Sequence, residues 1–585
     1  MAGSRNYNRS RQTRIKSAPP KFDSRAHSDF NDDSDDATVL PTYWPLDLQS
    51  NWVMPVMESL LDKRHRLNEL RLTPNSQQVA ATTTMNKSQR KIGRKRHGHV
   101  EKGVEIAALK PKNWKKVSVK HREKLELLSN VWKNAESNPE LITIINNNGV
   151  CFKEEFSIGI GSYGTEVYVC LGSDGIERAI KRLPKLLCNL LKLVLKNERD
   201  ILTSSNAVES PRVVYYHFYD NTSSPDFGYL ILNLYEQNLK EFIKEEGEMI
   251  TESRARKMIR QVLEGLKALH AREPRILHRD LKPTNILVDV NDNLVLSDFG
   301  IGRFFPEQGA TTYCTNRERG SKDWVPYECI DWDAACSDEV RNPSDETQLK
   351  WKEKSDIQVA GMLAFYILTK GKHPFGPEFR RQQNLHGDDP VGLSKLSDPV
   401  VKDLLSQMLT RDLRERPYVE QALKHPYFLS SEDQMKFLEA LGNEPEIKSF
   451  KGDLNCAVSR ELDNRDLSRP RSSLLPNNWK AVIDPDDLNT FCAGGHTPAS
   501  RFDGSRYTHC LRFIRNVRQH WGDKTRLPLK AMGTATSLDE YFLQLFPTLP
   551  LVVHQIIRKH PDWKTRLSLE KFFPVINRRP LSGAD

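Results

Sequence analysis

Two short motifs near the middle of the chain bring together side chains that can move protons, carry charge and bind metal ions. The first is LHRDLKPTN at residues 277–285, and the second is SDFG at residues 297–300. Transfer of a γ-phosphoryl group needs a carboxylate for the attacking hydroxyl, a cation near the transferred oxygens, and ligands for metal ions. The two motifs together offer all of these groups, so phosphoryl transfer is the chemistry that they suit.

The motifs resemble the catalytic loop and the metal-binding motif of a protein kinase. The resemblance implies that Asp280 and Lys282 are catalytic, the first orienting the attacking hydroxyl and accepting its proton. It also implies that Asn285 and Asp298 bind the two Mg²⁺ ions that accompany ATP. The complete order H-R-D-L-K-P-x-N, with D-F-G at the interval typical of the family, is far more specific than an isolated H-R-D.

The glycine-rich sequence IGIGSYGTEVY at residues 158–168 predicts a β-hairpin whose backbone N–H groups close over phosphates. It is followed by the short apolar strand AIK at residues 179–181, whose lysine can reach the α- and β-phosphates. The nucleotide-binding residues predicted from this region are Gly159, Gly161, Gly164, Val167, Ala179 and Lys181.

Lys181 needs an acidic partner, and a predicted helix at residues 190–202 offers two candidates. Asp200 has a shorter side chain than Glu198, so we predict that Glu198 forms the pair. Past the apolar strand at residues 229–232, Leu232 occupies the gatekeeper position of a kinase. The backbone of Asn233 and Tyr235 is expected to contact adenine.

Two further residues complete the predicted kinase domain. Glu328 stands in a Pro-Tyr-Glu variant of the usual A-P-E motif, and Arg416 is available as its buried partner. Because the set of lysine, glutamate, aspartates and asparagine is complete, we predict an active kinase.

A second set of motifs lies near the carboxyl end: LRFIRNVRQHW at residues 511–521 and YFLQLFPTL at residues 541–549. They resemble the kinase-extension nuclease (KEN) domain of the inositol-requiring kinase/endoribonuclease of the unfolded-protein response and of the related RNase L. Trp479 fits a tryptophan near the start of that domain. The resemblance covers about residues 150 to 577 and implies an RNA substrate.

RNA can be cleaved without a metal ion when its own 2′-OH attacks the adjacent phosphate. Such a site needs a base, an acid for the leaving oxygen, and donors for the phosphate charge. His520 is predicted to be the acid, Arg515 a forked donor to phosphate oxygens, and Asn516 a residue that holds the nucleotide or the phosphate.

Two positions depart from the family pattern. Phe502 stands where the unfolded-protein-response enzymes carry a catalytic tyrosine, although RNase L-like members tolerate phenylalanine there. His509 replaces an expected aspartate. In a continuous helix His509 and His520 would be about 16 Å apart, at roughly 1.5 Å per residue, which is too far to act as an acid/base pair. The general base is therefore unassigned.

The length and composition of the chain limit its possible domain number, thiol state and location. Its 585 residues are enough for two or three domains, and its net charge of +10 suits RNA binding. Nine cysteines without a C-x-x-C pair predict reduced thiols. No run of about 18 apolar residues and no signal-peptide core occur, so we expect no membrane span. A cytoplasmic location is expected, with nuclear or endoplasmic-reticulum association left open.

Residues 1–140 are predicted to be a largely disordered, basic region. Apolar residues between positions 41 and 72 predict a helix, and the cluster RKIGRKR at residues 90–96 could bind RNA, act as a nuclear signal or be part of a flexible tether. No ankyrin-like repeat period is present.

The sequence thus predicts a bilobal α+β protein kinase fold at residues 150–428, followed by an all-α KEN domain at residues 431–577. The leading function is a dual serine/threonine kinase and endoribonuclease that acts on proteins, including itself, and on RNA but not DNA. Nucleotide binding and self-phosphorylation between Gly300 and Trp324 would promote a homodimer or higher oligomer. The alternatives are a kinase whose KEN domain is only a dimerisation surface and a nucleotide-sensing scaffold.

Overall fold

The computed structural model describes most of the chain after residue 104. The described residues are 105–106, 108–161, 164–185, 189–304, 312–314, 321, 323–330, 349–449, 455–463, 474–492, 497–521 and 535–576. The predictions for the helix at 41–72, for the basic cluster at 90–96 and for most of the self-phosphorylated segment lie outside these residues.

An antiparallel sheet rich in β-branched and aromatic residues forms the amino-terminal lobe. Its strands are β1 Thr143–Ile145, β2 Asn148–Val150, β3 Ser157–Ile160, β4 Glu166–Gly172, β5 Glu177–Pro184, β6 Tyr216–Asp220 and β7 Phe227–Asn233. They are arranged in the order β1-β2-β4-β5-β7-β6, and β3 pairs with β4. Two helices follow the middle of the sheet in sequence, α2 Asn189–Leu202 and α3 Ser205–Val208.

A helix that precedes the sheet, α1 (Arg122–Lys133), packs against it. Leu125, Leu128 and Trp132 lie on one face of α1 and are buried. The indole of Trp132 lies so close to Gly149 that an added Cβ would be 2.5 Å from the ring. The sequence had placed this stretch in the largely disordered region up to residue 140. The structure corrects that boundary, because the apolar face of α1 completes the core of the lobe.

The second lobe is mainly helical and is built around two buried helices. Its elements are β8 Gln237–Asn238, α4 Leu239–Glu246, α5 Glu252–Ala271, β9 Ile276–Leu277, β10 Ile286–Val288, β11 Leu294–Leu296, β12 Arg303–Phe304, β13 Thr312–Cys314, β14 Leu349–Trp351, α6 Glu353–Leu368, α7 Arg381–His386, α8 Pro399–Leu409 and α9 Val419–Ala422. Almost every residue of α6 is buried. That burial explains why this stretch is apolar on all sides.

Helices alone form the carboxyl-terminal unit in the described part of the chain. They are α10 Ser431–Gly442, α11 Pro445–Lys448, α12 Ala457–Asp463, α13 Pro485–Cys492, α14 Tyr507–Gln519, α15 Leu538–Leu545, α16 Leu549–Ile557 and α17 Pro561–Lys564. Ser430 caps α10 by accepting a hydrogen bond from the Asp433 N–H at 3.1 Å. At the end of α10, an added Cβ on Gly442 would lie 2.7 Å from the carbonyl oxygen of Leu511. Glycine therefore lets α10 and α14 approach closely.

One carboxylate joins the kinase lobe to the helical unit. Asp403 on α8 accepts hydrogen bonds from Arg558 at 3.0 Å, from Gln555 at 2.8 Å and from His425 at 3.0 Å. Burial by itself would raise the pKa of Asp403, but the hydrogen bonds from His425 and Arg558 outweigh it and hold the pKa well below its ordinary value of 3.8. The ion pair is therefore formed throughout the neutral range.

Replacing Asp403 by asparagine is expected to lower the free energy of unfolding by about 3 kcal/mol at pH 7, because the Arg558 charge loses its buried partner. A lowered pKa in the folded state stabilises the protein above the unfolded-state value, and that contribution is lost as pH falls. The difference between wild type and Asp403→Asn should therefore shrink below about pH 4, as measured by urea unfolding.

The control for this experiment is Asp562→Asn, on an exposed turn of α17, which should change the free energy of unfolding by less than about 0.5 kcal/mol. If Asp403→Asn were as stable as wild type at pH 7, the buried ion pair would not hold the two units together.

In the described part of the chain, no helix combines the length and apolar character needed to span a membrane.

Candidate active sites

Lys181 stands at the centre of the first site. Strand β5 carries it between β4 and β7, where it faces Val167 on one side and Leu230 on the other. Its Nζ lies 2.9 Å from Glu198 Oε2 and 3.1 Å from Asp298 Oδ1. The predicted pairing of Lys181 with Glu198 is thus confirmed. The rejected candidate, Asp200, pairs with its neighbour Arg199 instead.

The charge of Lys181 is stabilised by its two carboxylate partners. Burial on its own would lower the pKa of this lysine, but Asp298 and Glu198 outweigh burial and raise the pKa above its ordinary value. Glu198 is only 1% exposed, so water does not compete for the pair. The ammonium group is therefore charged and held in place to meet phosphate oxygens.

Asn197, next to Glu198 on α2, holds the segment that carries Asp298. Its side-chain amide donates to the carbonyl oxygens of Phe299 at 3.0 Å, Gly300 at 3.2 Å and Gly302 at 2.7 Å. Sequence reasoning missed this residue, since nothing local reveals an amide that bonds a segment about 100 residues away. The contact couples the position of Glu198 to that of Asp298.

Buried Asp356 holds the backbone of the catalytic loop by hydrogen bonds. It accepts from the backbone N–H of His278 at 3.0 Å and of Arg279 at 3.1 Å. Its Oδ2 also lies 3.1 Å from His270 Nε2. Arg279 has a φ of +67°, a conformation that a side chain other than glycine adopts only when its surroundings impose it. Asp356 thus fixes the backbone from which Asp280 projects.

Asp280 lies in a compact network of polar side chains. Its Oδ2 is 2.8 Å from Lys282 Nζ and 2.9 Å from the Asn285 amide nitrogen. The hydroxyl of Ser321 donates to Asp280 Oδ1 at 3.1 Å and accepts from Lys282 at 2.8 Å. The sequence had marked Ser321 only as a phosphorylation candidate. Its contacts show that Asp280 and Lys282 can together hold a hydroxyl group.

Asn285 and Asp298 present oxygen atoms suited to a hard divalent ion such as Mg²⁺. The amide nitrogen of Asn285 is used by Asp280, which turns its oxygen into the group available for a metal. Asp298 gives one oxygen to Lys181. The residues present therefore fit the metal ions that the resemblance implies.

The glycine-rich hairpin is formed by the antiparallel pair of β3 and β4. The strand pairing shifts register between Ser157 and Gly159. The Gly161 N–H donates to the Thr165 carbonyl at 2.8 Å, and Gly164 has a φ of +71°, which favours glycine. The two residues between Gly161 and Gly164 lie outside the described part of the chain.

The hinge follows β7 and joins the two lobes. Ala179 on β5 pairs with Leu232, which puts the predicted gatekeeper beside the nucleotide-binding strand. The side chain of Asn233 contacts His217 Nε2 at 2.7 Å, and the Tyr235 carbonyl contacts His121 Nε2 at 3.1 Å. The hinge is therefore held by one side-chain contact and one backbone contact, each to a histidine.

The predicted ion pair of Glu328 with Arg416 is present, at 2.9 Å. Arg416 is fully buried and also donates to the Thr410 carbonyl at 2.9 Å.

Helix α14 carries the second site at its carboxyl end. Arg515 and Asn516 lie one turn before His520, which caps the helix. Arg515 donates to Asn516 Oδ1 at 2.9 Å and to Asn443 Oδ1 at 2.7 Å. These bonds orient the guanidinium of Arg515, and the first of them uses the side-chain oxygen of Asn516. The helix brings the three predicted residues to one end of a rigid element.

Two further arginines belong to this region. Burial lowers the pKa of Arg512, and the charges of Arg515 and Arg501 lower it further. The guanidinium group of Arg512 thus lies near enough to those of Arg515 and Arg501 to be repelled by each of them. Such an arrangement favours a bound polyanion. Arg512 already stands in the sequence motif, three residues before Arg515, whereas sequence reasoning missed Arg501 because only the fold brings it near Arg512.

Phe502 and His509 belong to the core of this unit. Phe502 is 3% exposed, and its ring centroid is 6.2 Å from that of Trp479 and 5.4 Å from that of Phe513. His509 is 5% exposed, and its Nδ1 accepts from the Asp503 N–H at 2.8 Å. Neither side chain is placed to take a proton from RNA.

Comparison with known proteins identifies both units. The family model described as protein kinase domain matches residues 152–428, and the model described as ribonuclease 2-5A matches residues 434–573. The chain therefore contains a protein kinase domain followed by an α-helical ribonuclease 2-5A domain.

Curated relatives share both domains at modest identity. The "Sensor for unfolded proteins in the ER ire1" of Schizosaccharomyces pombe is 26% identical, over 72% of this chain and 39% of its own length. The human "Serine/threonine-protein kinase/endoribonuclease IRE2" is 26% identical, over 76% of this chain and 45% of its own length. The "Probable serine/threonine-protein kinase irlD" of Dictyostelium discoideum is 26% identical, over 71% of this chain and 29% of its own length.

The chain thus carries a protein kinase domain and a ribonuclease 2-5A domain in that order, and it is similar to a relative named for both kinase and endoribonuclease activity. It spans between 29% and 45% of the length of these three relatives.

Proposed function

We propose that this protein is a dual enzyme, a serine/threonine protein kinase and a metal-independent endoribonuclease that work in one stress-response or RNA-decay pathway. The observation that carries the kinase half is the contact of Lys181 with both Glu198 and Asp298. The same chain carries Arg515, Asn516 and His520 at the end of one helix of the ribonuclease domain.

The kinase domain binds ATP and a divalent metal ion, and we propose that the ion is Mg²⁺. Asn285 and Asp298 would hold the metal ions, which neutralise charge on the transferred phosphoryl group when bound. Asp280 takes the proton of the attacking hydroxyl, and Lys282 balances charge beside it. Nucleotide contacts come from the glycine hairpin, Lys181 and the hinge. The residues proposed are Gly159, Gly161, Gly164, Val167, Ala179, Asn233 and Tyr235.

In the ribonuclease domain, the 2′-OH of RNA attacks the adjacent phosphate, and the 5′-oxygen leaves with a proton. We assign His520 as the donor of that proton, and Arg515 and Asn516 as hydrogen-bond donors to the phosphate. This route requires a 2′-OH, so DNA is not a substrate. The products carry a 2′,3′-cyclic phosphate.

Dimerisation links the two activities in this proposal. The described residues of one chain offer an acid and phosphate donors at the RNA site, while Phe502 and His509 are buried away from it. A second copy related by two-fold symmetry would complete the site, since most homo-oligomers form in that way. Bound nucleotide shifts the equilibrium only through a higher affinity for the dimer-competent conformation.

Cleavage of a stem-loop RNA at increasing protein concentration tests this function. We expect the rate per chain to rise steeply with concentration, and to rise further with ADP or a non-hydrolysable ATP analogue, because binding rather than transfer favours the dimer. Once the dimer has formed, chelation of Mg²⁺ should not stop cleavage. Absence of cleavage at high concentration with nucleotide bound would reject the ribonuclease.

We propose that the protein works in the cytoplasm.

A further inference from the structure

A segment before α1 crosses the outside of the hinge, and we call residues 114–121 the strap. Its first anchor is Glu177, the residue that begins β5. One carboxylate oxygen of Glu177 accepts from the indole N–H of Trp114 at 2.7 Å and from the Val117 N–H at 3.1 Å. The other accepts from the Ser118 N–H at 2.6 Å. Glu177 is 9% exposed, so the strap shields these bonds from water.

The hinge itself supplies the second anchor of the strap. The carboxylate of Glu236 accepts from the Lys120 N–H at 2.6 Å and from the Val119 N–H at 3.2 Å. The Nε2 of His121 lies 3.1 Å from the carbonyl oxygen of Tyr235. Three consecutive residues of the strap therefore contact two consecutive residues of the hinge.

The third anchor lies in the helical lobe. The ammonium of Lys120 is 3.0 Å from Glu245 on α4. The strap is therefore joined to β5 in one lobe, to the hinge, and to α4 in the other lobe. Separating the lobes would break bonds at one of these three anchors.

The fit between the strap and the sheet is close. Gly175, in the turn before β5, has a φ of +77°, and an added Cβ would collide with the carbonyl oxygen of Asn113. A side chain at this position would push away the residue that leads into Trp114. The turn therefore has the shape needed to receive the strap.

We propose that the strap positions the adenine-binding hinge, and that Glu177 and Glu236 are the positioning residues through which it sets nucleotide affinity. A nucleotide bound between the lobes depends at once on Lys181 of β5 and on the backbone of the hinge. A chain that is competent to bind for only part of the time shows a proportionally weaker apparent affinity. By holding β5, hinge and α4 together, the strap keeps the site in its binding-competent shape.

The expected effect is on binding rather than on the chemical step. Loosening the strap should raise the KM for ATP with little change in kcat, because the reacting groups at Asp280 do not touch it. Loss of one hydrogen bond of average strength corresponds to a change of about fivefold. This inference rests on the proposed kinase function only where kcat and KM are measured, since the affinity for ADP can be measured without catalysis.

The experiment compares Glu177→Gln and Glu236→Gln with wild type in the full chain. Fluorescence titration measures the dissociation constant for ADP, and phosphate incorporation measures KM and kcat for ATP. We expect the dissociation constant and KM to rise by about fivefold in each variant, with kcat within about twofold. The control is Glu432→Gln, which removes the same charge from an exposed pair with Lys436 on α10, away from both strap and hinge. It should change neither constant.

Trp114→Phe is a milder variant that keeps an aromatic ring but removes the indole N–H donor to Glu177. It should weaken ADP binding by itself. In the double variant with Glu177→Gln, it should raise the dissociation constant for ADP by less than about a further twofold, because both changes remove the same hydrogen bond. Folded variants that all bind ADP as wild type does would overturn the role of the strap. A wild type that binds ADP but transfers no phosphate would reject the kinase proposal, while the ADP titrations would still decide on the strap.

Discussion

Asp280→Asn is expected to lower kcat for phosphate incorporation by about a thousandfold, the middle of the range for the loss of a general base. The asparagine amide cannot accept the proton of the attacking hydroxyl. It also cannot pair with the charge of Lys282, whose Nζ lies 2.8 Å from the Asp280 carboxylate. The measurement is transfer of labelled phosphate from ATP to a protein substrate under saturating ATP.

The KM for ATP and the affinity for ADP should be nearly unchanged in Asp280→Asn, because Asp280 acts on the hydroxyl and the nucleotide is held by Lys181 and the hinge. The matched control is Asp200→Asn, which removes the same charge from a surface pair with Arg199. Its activity should stay within about twofold of wild type, as for most surface substitutions. If Asp280→Asn transferred phosphate at the rate of Asp200→Asn, Asp280 would not be the base.

His520→Ala is expected to lower RNA cleavage by about 100- to 10,000-fold while phosphate transfer is retained. The imidazole of His520 is the group to which we assign protonation of the leaving oxygen. Arg515 and Asn516 remain in the variant, so RNA binding should fall much less than cleavage. A stem-loop RNA, assayed at a dimer-forming concentration with ADP, separates the two effects.

The control for this variant is His560→Ala in the same domain. His560 pairs with Glu461 at 2.9 Å, so its loss removes a polar contact without touching Arg515 or Asn516. Cleavage by this variant should stay close to the wild-type rate. Equal cleavage by His520→Ala and wild type would refute the acid assignment, and equal losses in both histidine variants would point to stability rather than chemistry.

Local sequence was sufficient to predict the chemistry of the kinase site. Asp280, Lys282 and Asn285 lie within six residues of one another, so their spacing along one loop already determines that they act together. The choice of Glu198 over Asp200 also followed from the sequence, because it depends on side-chain length along a single helix. These features are encoded by residues that are neighbours in the chain.

The supports of that site could not be predicted, because they join distant segments. Asn197 reaches Phe299 across the two lobes, while Asp356 reaches the backbone of His278 and Ser321 reaches Asp280 within the helical lobe. Each contact forms only once the chain has folded. An amide, a carboxylate or a hydroxyl is common at protein surfaces, so its type does not reveal such a partner. The same holds for Arg501, which the fold brings near Arg512.

Helix α1 and the strap also depend on contacts that the sequence does not reveal. The apolar residues of α1 are visible in the sequence, yet they fall within residues 1–140, a region that is predicted to be largely disordered. Only packing of Trp132 against Gly149 decides that the helix is part of the lobe. By itself the sequence determined which chemistry this protein can perform, because reactive groups are grouped in short motifs. Tertiary structure decided which side chains hold those groups in place and which, like Phe502, are removed from chemistry by burial, because those contacts form only between segments that are far apart in the chain.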